Sequence, residues 1–182
     1  AVAAEMMAEV VQMTWPAYKI IGVRCLRVLK GIVLESNQQD IRVSASPRNE
    51  LSIGQESVEV DAEITLNCKS QRCYQATVEL GKQFTIPNSN HSGLSSELHP
   101  FPMSVEEAYR RWLFHGPSFK GIHRVEGMNE DGISSVLMPS SPSIFLAREV
   151  PGHWLMDPVL LDSAFQLAIL WQRSYFDMTP LP

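Results

Sequence analysis

The sequence predicts an α+β protein in which antiparallel sheets wrap long apolar helices. Three observations carry this. From Ser57 to Asn67 apolar and polar residues alternate strictly: Val58, Val60, Ala62, Ile64 and Leu66 fall on one side, Glu59, Asp61, Glu63 and Thr65 on the other. After a polar turn near Lys69-Ser70, the residues Tyr74, Ala76, Val78 and Leu80 alternate again. This is the pattern of an antiparallel hairpin with one buried and one wet face. The third observation is Trp154–Trp171, WLMDPVLLDSAFQLAILW, which reads as a helix with no solvated face. Helices of that kind are normally buried.

The elements follow in order. Residues 1–15 form a first helix, ended by Pro16, which cannot continue it. Glu5, Glu9 and Gln12 share a stripe expected to be solvated, and Met6, Met7 and Met13 are assigned to the core. Tyr18–Leu34 is rich in β-formers and predicts one or two strands with a break at Gly31. Ile41, Val43 and Ala45 alternate with Arg42 and Ser44 as a further strand, and the hairpin follows. Residues 86–103, rich in Pro, Ser, Asn and Gly, read as a linker, with His91 and His99 as surface histidines.

A second unit then begins. Ser104-Val-Glu-Glu107 is a capping box opening a short helix through Trp112. A Gly-Pro turn at Gly116-Pro117 leads into a strand, and Asn129-Glu-Asp-Gly132 turns it back on itself. Residues 140–152 are loop. Asp157 then caps the last helix, with Pro158 at its first position, where the missing N–H costs nothing. The expected organisation is therefore 1–85 as one half, 86–103 as linker and 104–182 as a second half of the same architecture.

Composition bounds the functions. The chain has 182 residues, 45% hydrophobic and 19% charged, enough for a sizeable core. A formal charge of -5 without a basic run gives no footprint for nucleic acid. Three cysteines, Cys25, Cys68 and Cys73, lack metal-ligand spacing and point to a reduced, cytoplasmic setting. Asp157, Asp162 and Gln166 interrupt the longest apolar run, which argues against a membrane span. Both ends read as cut: Ala1 starts inside a helical pattern without a cap, and Thr179-Pro-Leu-Pro182 reads as a linker.

Asp162 is the chemical anomaly. It sits on an apolar helix with Gln166 four residues on, on the same face. A carboxyl group there must be paired, hydrogen-bonded or protonated. Residue spacing alone also allows a structural aspartate bonded to a loop, and His115 as a mere turn residue at a strand entry. No phosphate-binding glycine loop, paired-cysteine site or nucleophile elbow is present.

Leu113-Phe-His-Gly-Pro-Ser-Phe-Lys-Gly121 resembles the Tyr-Gly-Pro-x-Phe-x-Gly motif of the dehydratase domains of polyketide synthases and related fatty acid synthases. Asp157-Pro-Val-Leu-Leu-Asp-Ser-Ala-Phe-Gln166 is similar to that family's His-Pro-x-Leu-Leu-Asp-x-x-x-Gln motif, in the same order and at similar spacing. The first helix resembles the stretch after the family's His-x-x-x-Gly-x-x-x-x-Pro motif. The Phe-His-Gly-Pro form is most similar to iterative synthases of the polyunsaturated fatty acid and enediyne type.

The resemblance implies a double hotdog fold, two sheets each wrapped on a helix. It implies loss of water from a β-hydroxyacyl thioester carried on the phosphopantetheine arm of an acyl carrier protein, with no metal or soluble cofactor. The partners it implies are the carrier protein, other synthase domains and a second copy of the chain. Asp162 would give a proton to the departing hydroxyl, Gln166 would hold that hydroxyl or the carboxyl group, and His115, Gly116, Pro117 and Phe119 would line the substrate. An apolar helix wall suits proton donation, because desolvation favours the neutral carboxyl.

Three departures stand out. None of the five histidines matches the family's catalytic histidine motif, so the resemblance places the general base before Ala1 and implies an inactive fragment. His115 stands where the common pattern has tyrosine, and Asp157 where it has histidine. Two other functions share the fold: a hotdog thioesterase or enoyl hydratase, and a non-catalytic hotdog module for carrier binding or synthase architecture.

Overall fold

The computed structural model describes residues 1–33, 38–49, 56–66, 71–84, 97–147 and 152–176. The turn at Lys69-Ser70, most of the expected linker with His91, and the Thr179–Pro182 tail lie outside these residues. Backbone contacts divide the chain into two compact units, Val2–Pro87 and Asn88–Pro182. The architecture is α+β, with helices laid on antiparallel strands.

The first unit contains helix α1 (Val2–Thr14) and strands β1 (Lys19–Val28), β2 (Ile41–Pro47), β3 (Ser57–Leu66) and β4 (Gln71–Gly81). The sheet order is β1-β4-β3-β2, antiparallel throughout. The alternating register sets the core. Val60 faces Val78, Ala62 faces Ala76 and Ile64 faces Tyr74 across β3 and β4. Val58, Val60, Ala62, Ile64, Ala76, Val78 and Leu80 close over Met7 and Val11 of α1. Burial of this apolar area, at about 25 cal/mol per Å², is the main force holding the unit together.

The intervening residues form the outer, polar face. Glu59 lies opposite Glu79, a like-charge pair that would be destabilising by itself. Arg48 meets Glu59 at 3.2 Å and Arg24 meets Glu79 at 2.9 Å, so each carboxylate has its own cation. The Tyr18–Leu34 region yields one strand rather than two. β1 is bulged between Arg24 and Arg27, where Cys25 adopts φ 52°.

Two assignments on α1 are corrected. Glu5, expected on a solvated stripe, is only 2% exposed. The helix touches all four strands, so the sheet covers an arc that takes in Ala4, Glu5, Met7, Ala8 and Val11. Met13, assigned to the core, is 79% exposed because it follows Glu9 by one turn on the outward side.

The second unit contains α2 (Val105–Arg111), β5 (Ile122–Asn129), β6 (Gly132–Leu137) and α3 (Pro158–Phe176), with single 3-10 turns at Pro117–Phe119 and Pro142–Ile144. Ser104 caps α2 by accepting from the Glu107 amide at 3.1 Å. The other half of the capping box is not made, since the Glu107 carboxylate turns to Arg111 at 2.8 Å. At the β5–β6 turn, the Asn129 side chain accepts from the amides of Asp131 and Gly132. The Trp171 indole donates to the Asn129 carbonyl at 2.8 Å and ties α3 to this hairpin. His99, in the expected linker, exchanges backbone hydrogen bonds with Met128 and so extends the strand layer.

The start of α3 follows the sequence closely. Asp157 Oδ1 accepts from the amides of Val159 and Leu160 at 2.8 and 3.2 Å, as an N-cap does. The same carboxylate accepts from Ser140 Oγ at 2.7 Å and from the Ser140 amide. Burial alone would raise the Asp157 pKa, but these bonds outweigh it and hold the carboxyl below its ordinary value.

The expectation that α3 lacks a solvated face is overturned. Only the stripe Val159, Ser163, Gln166 and Leu170 is buried, with Pro158, while Phe165 is 61% exposed. Among the described residues, α3 is covered mainly by a two-stranded hairpin and the Pro117–Phe119 turn, which bury one line of residues three and four apart. That line contains two polar side chains, and they hold the site together. Among the described residues no helix is long and apolar enough to cross a membrane.

Candidate active site

The site lies wholly within the second unit, where α2, the 113–121 segment and α3 meet. Gly121 permits the approach. A Cβ there would stand 2.4 Å from Ser163 Oγ and 2.6 Å from Val159 Cγ1, far inside contact distance. The segment can therefore lie directly on the buried stripe of α3 only with glycine at this position.

Gln166, fully buried, is the centre of the polar network. Its Nε2 donates to the Phe119 carbonyl at 2.8 Å and to Asp162 Oδ2 at 2.7 Å. Its Oε1 accepts from the Tyr109 hydroxyl at 2.8 Å. The Tyr109 oxygen in turn accepts from the Ile122 amide at 3.1 Å. The one-turn spacing of Asp162 and Gln166 thus becomes a direct hydrogen bond, as the i,i+4 geometry requires.

His115 completes the arrangement. Its Nε2 lies 3.2 Å from Asp162 Oδ2, and its other nitrogen, Nδ1, is buried without a hydrogen-bond partner among the described residues. The Phe114 ring stacks on the imidazole at 4.3 Å between centroids. Asp162 Oδ2 therefore accepts from Gln166 and has His115 Nε2 beside it, while Oδ1 has no hydrogen bond among the described residues. The Asp162 side chain is 22% exposed, so its carboxyl is neither sealed in the core nor free in solvent.

Tyr109 is 8% exposed. Burial raises its pKa above the phenol's ordinary value and the Asp162 charge adds to this, against the hydrogen bonds from the Ile122 and Gly121 backbone. The hydroxyl consequently keeps its proton and remains a donor across the physiological range.

Of the residues singled out in the sequence, Asp162, Gln166 and His115 come together through side chains. Phe119 joins them through its carbonyl, and its ring meets Phe145 edge-on at 5.2 Å. Gly116 and Pro117 form the exposed turn that carries His115 into and Phe119 out of the site. Gly116 has ordinary extended angles and open space around its Cα, so neither φ nor packing demands glycine there. Tyr109 was not singled out. In the sequence it is an aromatic residue on a short amphipathic helix, the usual appearance of a core residue, and its partner lies 57 positions away.

Comparison with known proteins shows what this part of the sequence is similar to. Residues 89–177 match the model of the family described as the polyketide synthase dehydratase N-terminal domain. Those residues carry α2, the Phe-His-Gly-Pro segment and Asp162 with Gln166, and over them the chain is similar to the dehydratase domains of polyketide synthases. One of the polyunsaturated fatty acid synthase subunits of Thraustochytrium sp. is 24% identical over 181 residues, which cover 97% of this chain. The chain spans 6% of the length of that relative. No solved structure matches.

Proposed function

We propose that the polypeptide carrying this chain dehydrates a β-hydroxyacyl thioester, presented on an acyl carrier protein, to the enoyl thioester, with this chain supplying the proton donor. The observation that carries the reading is the asymmetric holding of Asp162: Oδ2 is occupied by Gln166 and His115, while Oδ1 is left for a substrate atom. In the elimination a base takes the α-proton and the electron pair of that C–H bond becomes the new C=C bond. The C–O bond to the β-hydroxyl breaks, and a proton on Asp162 Oδ1 passes to the departing oxygen, so that water leaves and a carboxylate remains. Gln166 stabilises that carboxylate as it forms, since a hydrogen bond to a charged acceptor is the stronger kind, and the His115 imidazole lies beside the same oxygen. His115, Gly116, Pro117 and Phe119 form the wall along which the acyl chain lies. The two units, each a helix laid on antiparallel strands, are read as the halves of a double hotdog.

The test is product identity. The polypeptide that carries this chain is incubated with a β-hydroxyacyl thioester of a carrier protein, and the carrier-bound acyl group is weighed by mass spectrometry. Loss of one water with the thioester intact is expected. Release of the free hydroxy acid would assign a thioesterase instead, and an unaltered acyl group would leave only a binding or architectural module.

A further inference from the structure

The hydrogen-bond network around Gln166 has a direction imposed from outside it, by two backbone groups. A backbone N–H can only donate, so the Ile122 amide forces the Tyr109 oxygen to accept, and the hydroxyl proton must then be given elsewhere. It goes to Gln166 Oε1 at 2.8 Å. A backbone carbonyl can only accept, so the Phe119 carbonyl requires the amide nitrogen of Gln166 to face it. Both constraints select the same orientation of the side-chain amide. The one amide hydrogen left over points to Asp162 Oδ2 at 2.7 Å.

We propose that Tyr109 is a positioning residue for the reaction: it locks the amide of Gln166 so that Gln166 can only donate to Asp162, and so leaves Oδ1 as the oxygen that carries the transferred proton. This rests on the dehydratase reading of the site. Without the Tyr109 hydroxyl, one of the two constraints is lost, and only the Phe119 carbonyl still opposes a turn of the amide that would present Oε1 to Asp162. Two acceptors would then face each other unless the carboxyl held its proton between them, which is the proton the substrate needs. The charged and titratable groups around Tyr109 are Asp162, reached through Gln166, His115 on the far side of Asp162, and Lys120, whose Nζ lies 5.4 Å above the Tyr109 ring. Lys120 contacts the ring face and leaves the hydroxyl to Gln166 and Ile122. The raised pKa of the phenol agrees with a hydroxyl that stays a donor.

A double-mutant cycle separates positioning from mere structural support. Tyr109→Phe is expected to lower kcat about tenfold, the worth of one buried hydrogen bond, with KM little changed. In a Gln166→Ala background the same substitution is expected to lower kcat less than about twofold, because the amide it orients is gone. Equal losses in both backgrounds, or no loss in either, would overturn the proposal. A second readout does not depend on turnover. With glutamine labelled by nitrogen-15, the two side-chain amide protons of Gln166 are expected to exchange slowly with solvent in the unmodified chain and about tenfold faster in Tyr109→Phe. Exchange already as fast in the unmodified chain as at an exposed glutamine overturns the lock whether or not Tyr109→Phe folds, and exchange unchanged in a folded Tyr109→Phe overturns it too. Slow Gln166 amide exchange without enoyl product from the polypeptide that carries this chain would refute the dehydratase reading while leaving the lock standing.

Discussion

Gly121 has no space for a side chain, and this is the sharpest steric statement in the site. A methyl group there must displace Ser163 Oγ or Val159 Cγ1, both on the buried stripe of α3. We expect Gly121→Ala to destabilise the second unit by about 1–3 kcal/mol, the usual cost of overpacking. Chemical denaturation followed by tryptophan fluorescence, which reports Trp112, Trp154 and Trp171 of this unit and Trp15 of the first, measures it, and an unshifted midpoint for the second unit would contradict the packing described. At this scale the sequence was partly legible. Asp162 was conspicuous because a carboxyl on an apolar helix needs an explanation. Tyr109 was not, because a tyrosine's polar end is invisible in a pattern of apolar spacing. Glu5 misled for a related reason: glutamates are exposed as a rule, and only the breadth of a four-stranded sheet beneath α1 takes this one out of solvent.

Among elements, α3 depends most on its first residue. Asp157 caps the helix and also fastens the Ser140 loop, whose hydroxyl receives the Trp154 indole at 3.0 Å. Asp157→Ala removes both functions and is expected to cost about 1–2 kcal/mol in a denaturant titration. The pH dependence has a definite sign. The folded-state pKa of Asp157 lies below the ordinary value of 3.8, so its contribution is fully present above that value and is lost as pH falls through the lowered one. Asp157→Asn, which still caps, is therefore expected to show a shallower loss of stability than the unmodified chain as pH falls from about 5 to 2. Parallel curves would contradict this account of the carboxylate. Element boundaries were legible where local chemistry specifies them. Asp157-Pro158 and Ser104 marked helix starts that the structure places at Pro158 and Val105. The bulge at Cys25 had no such signal, since nothing in Gly-Val-Arg-Cys-Leu-Arg marks a left-handed residue.

For the whole molecule, alternation and helical spacing were enough to indicate helices laid on antiparallel strands, because burying one face of each element leaves few other arrangements. They could not indicate which polar groups would meet. Tyr109, His115, Phe119, Asp162 and Gln166 come from three separate segments, and only the close approach at Gly121 brings them together. The proposed function rests on that meeting. Asp162 is held at one oxygen and open at the other, which is what a proton donor to a leaving hydroxyl requires. The most direct measurement is the rate of enoyl thioester formation from a carrier-bound β-hydroxyacyl group, for the polypeptide carrying this chain and for its Asp162→Asn variant. We predict a fall of about 10²–10⁴, the range for losing a general acid. Enoyl formation at an unchanged rate in Asp162→Asn would contradict the account.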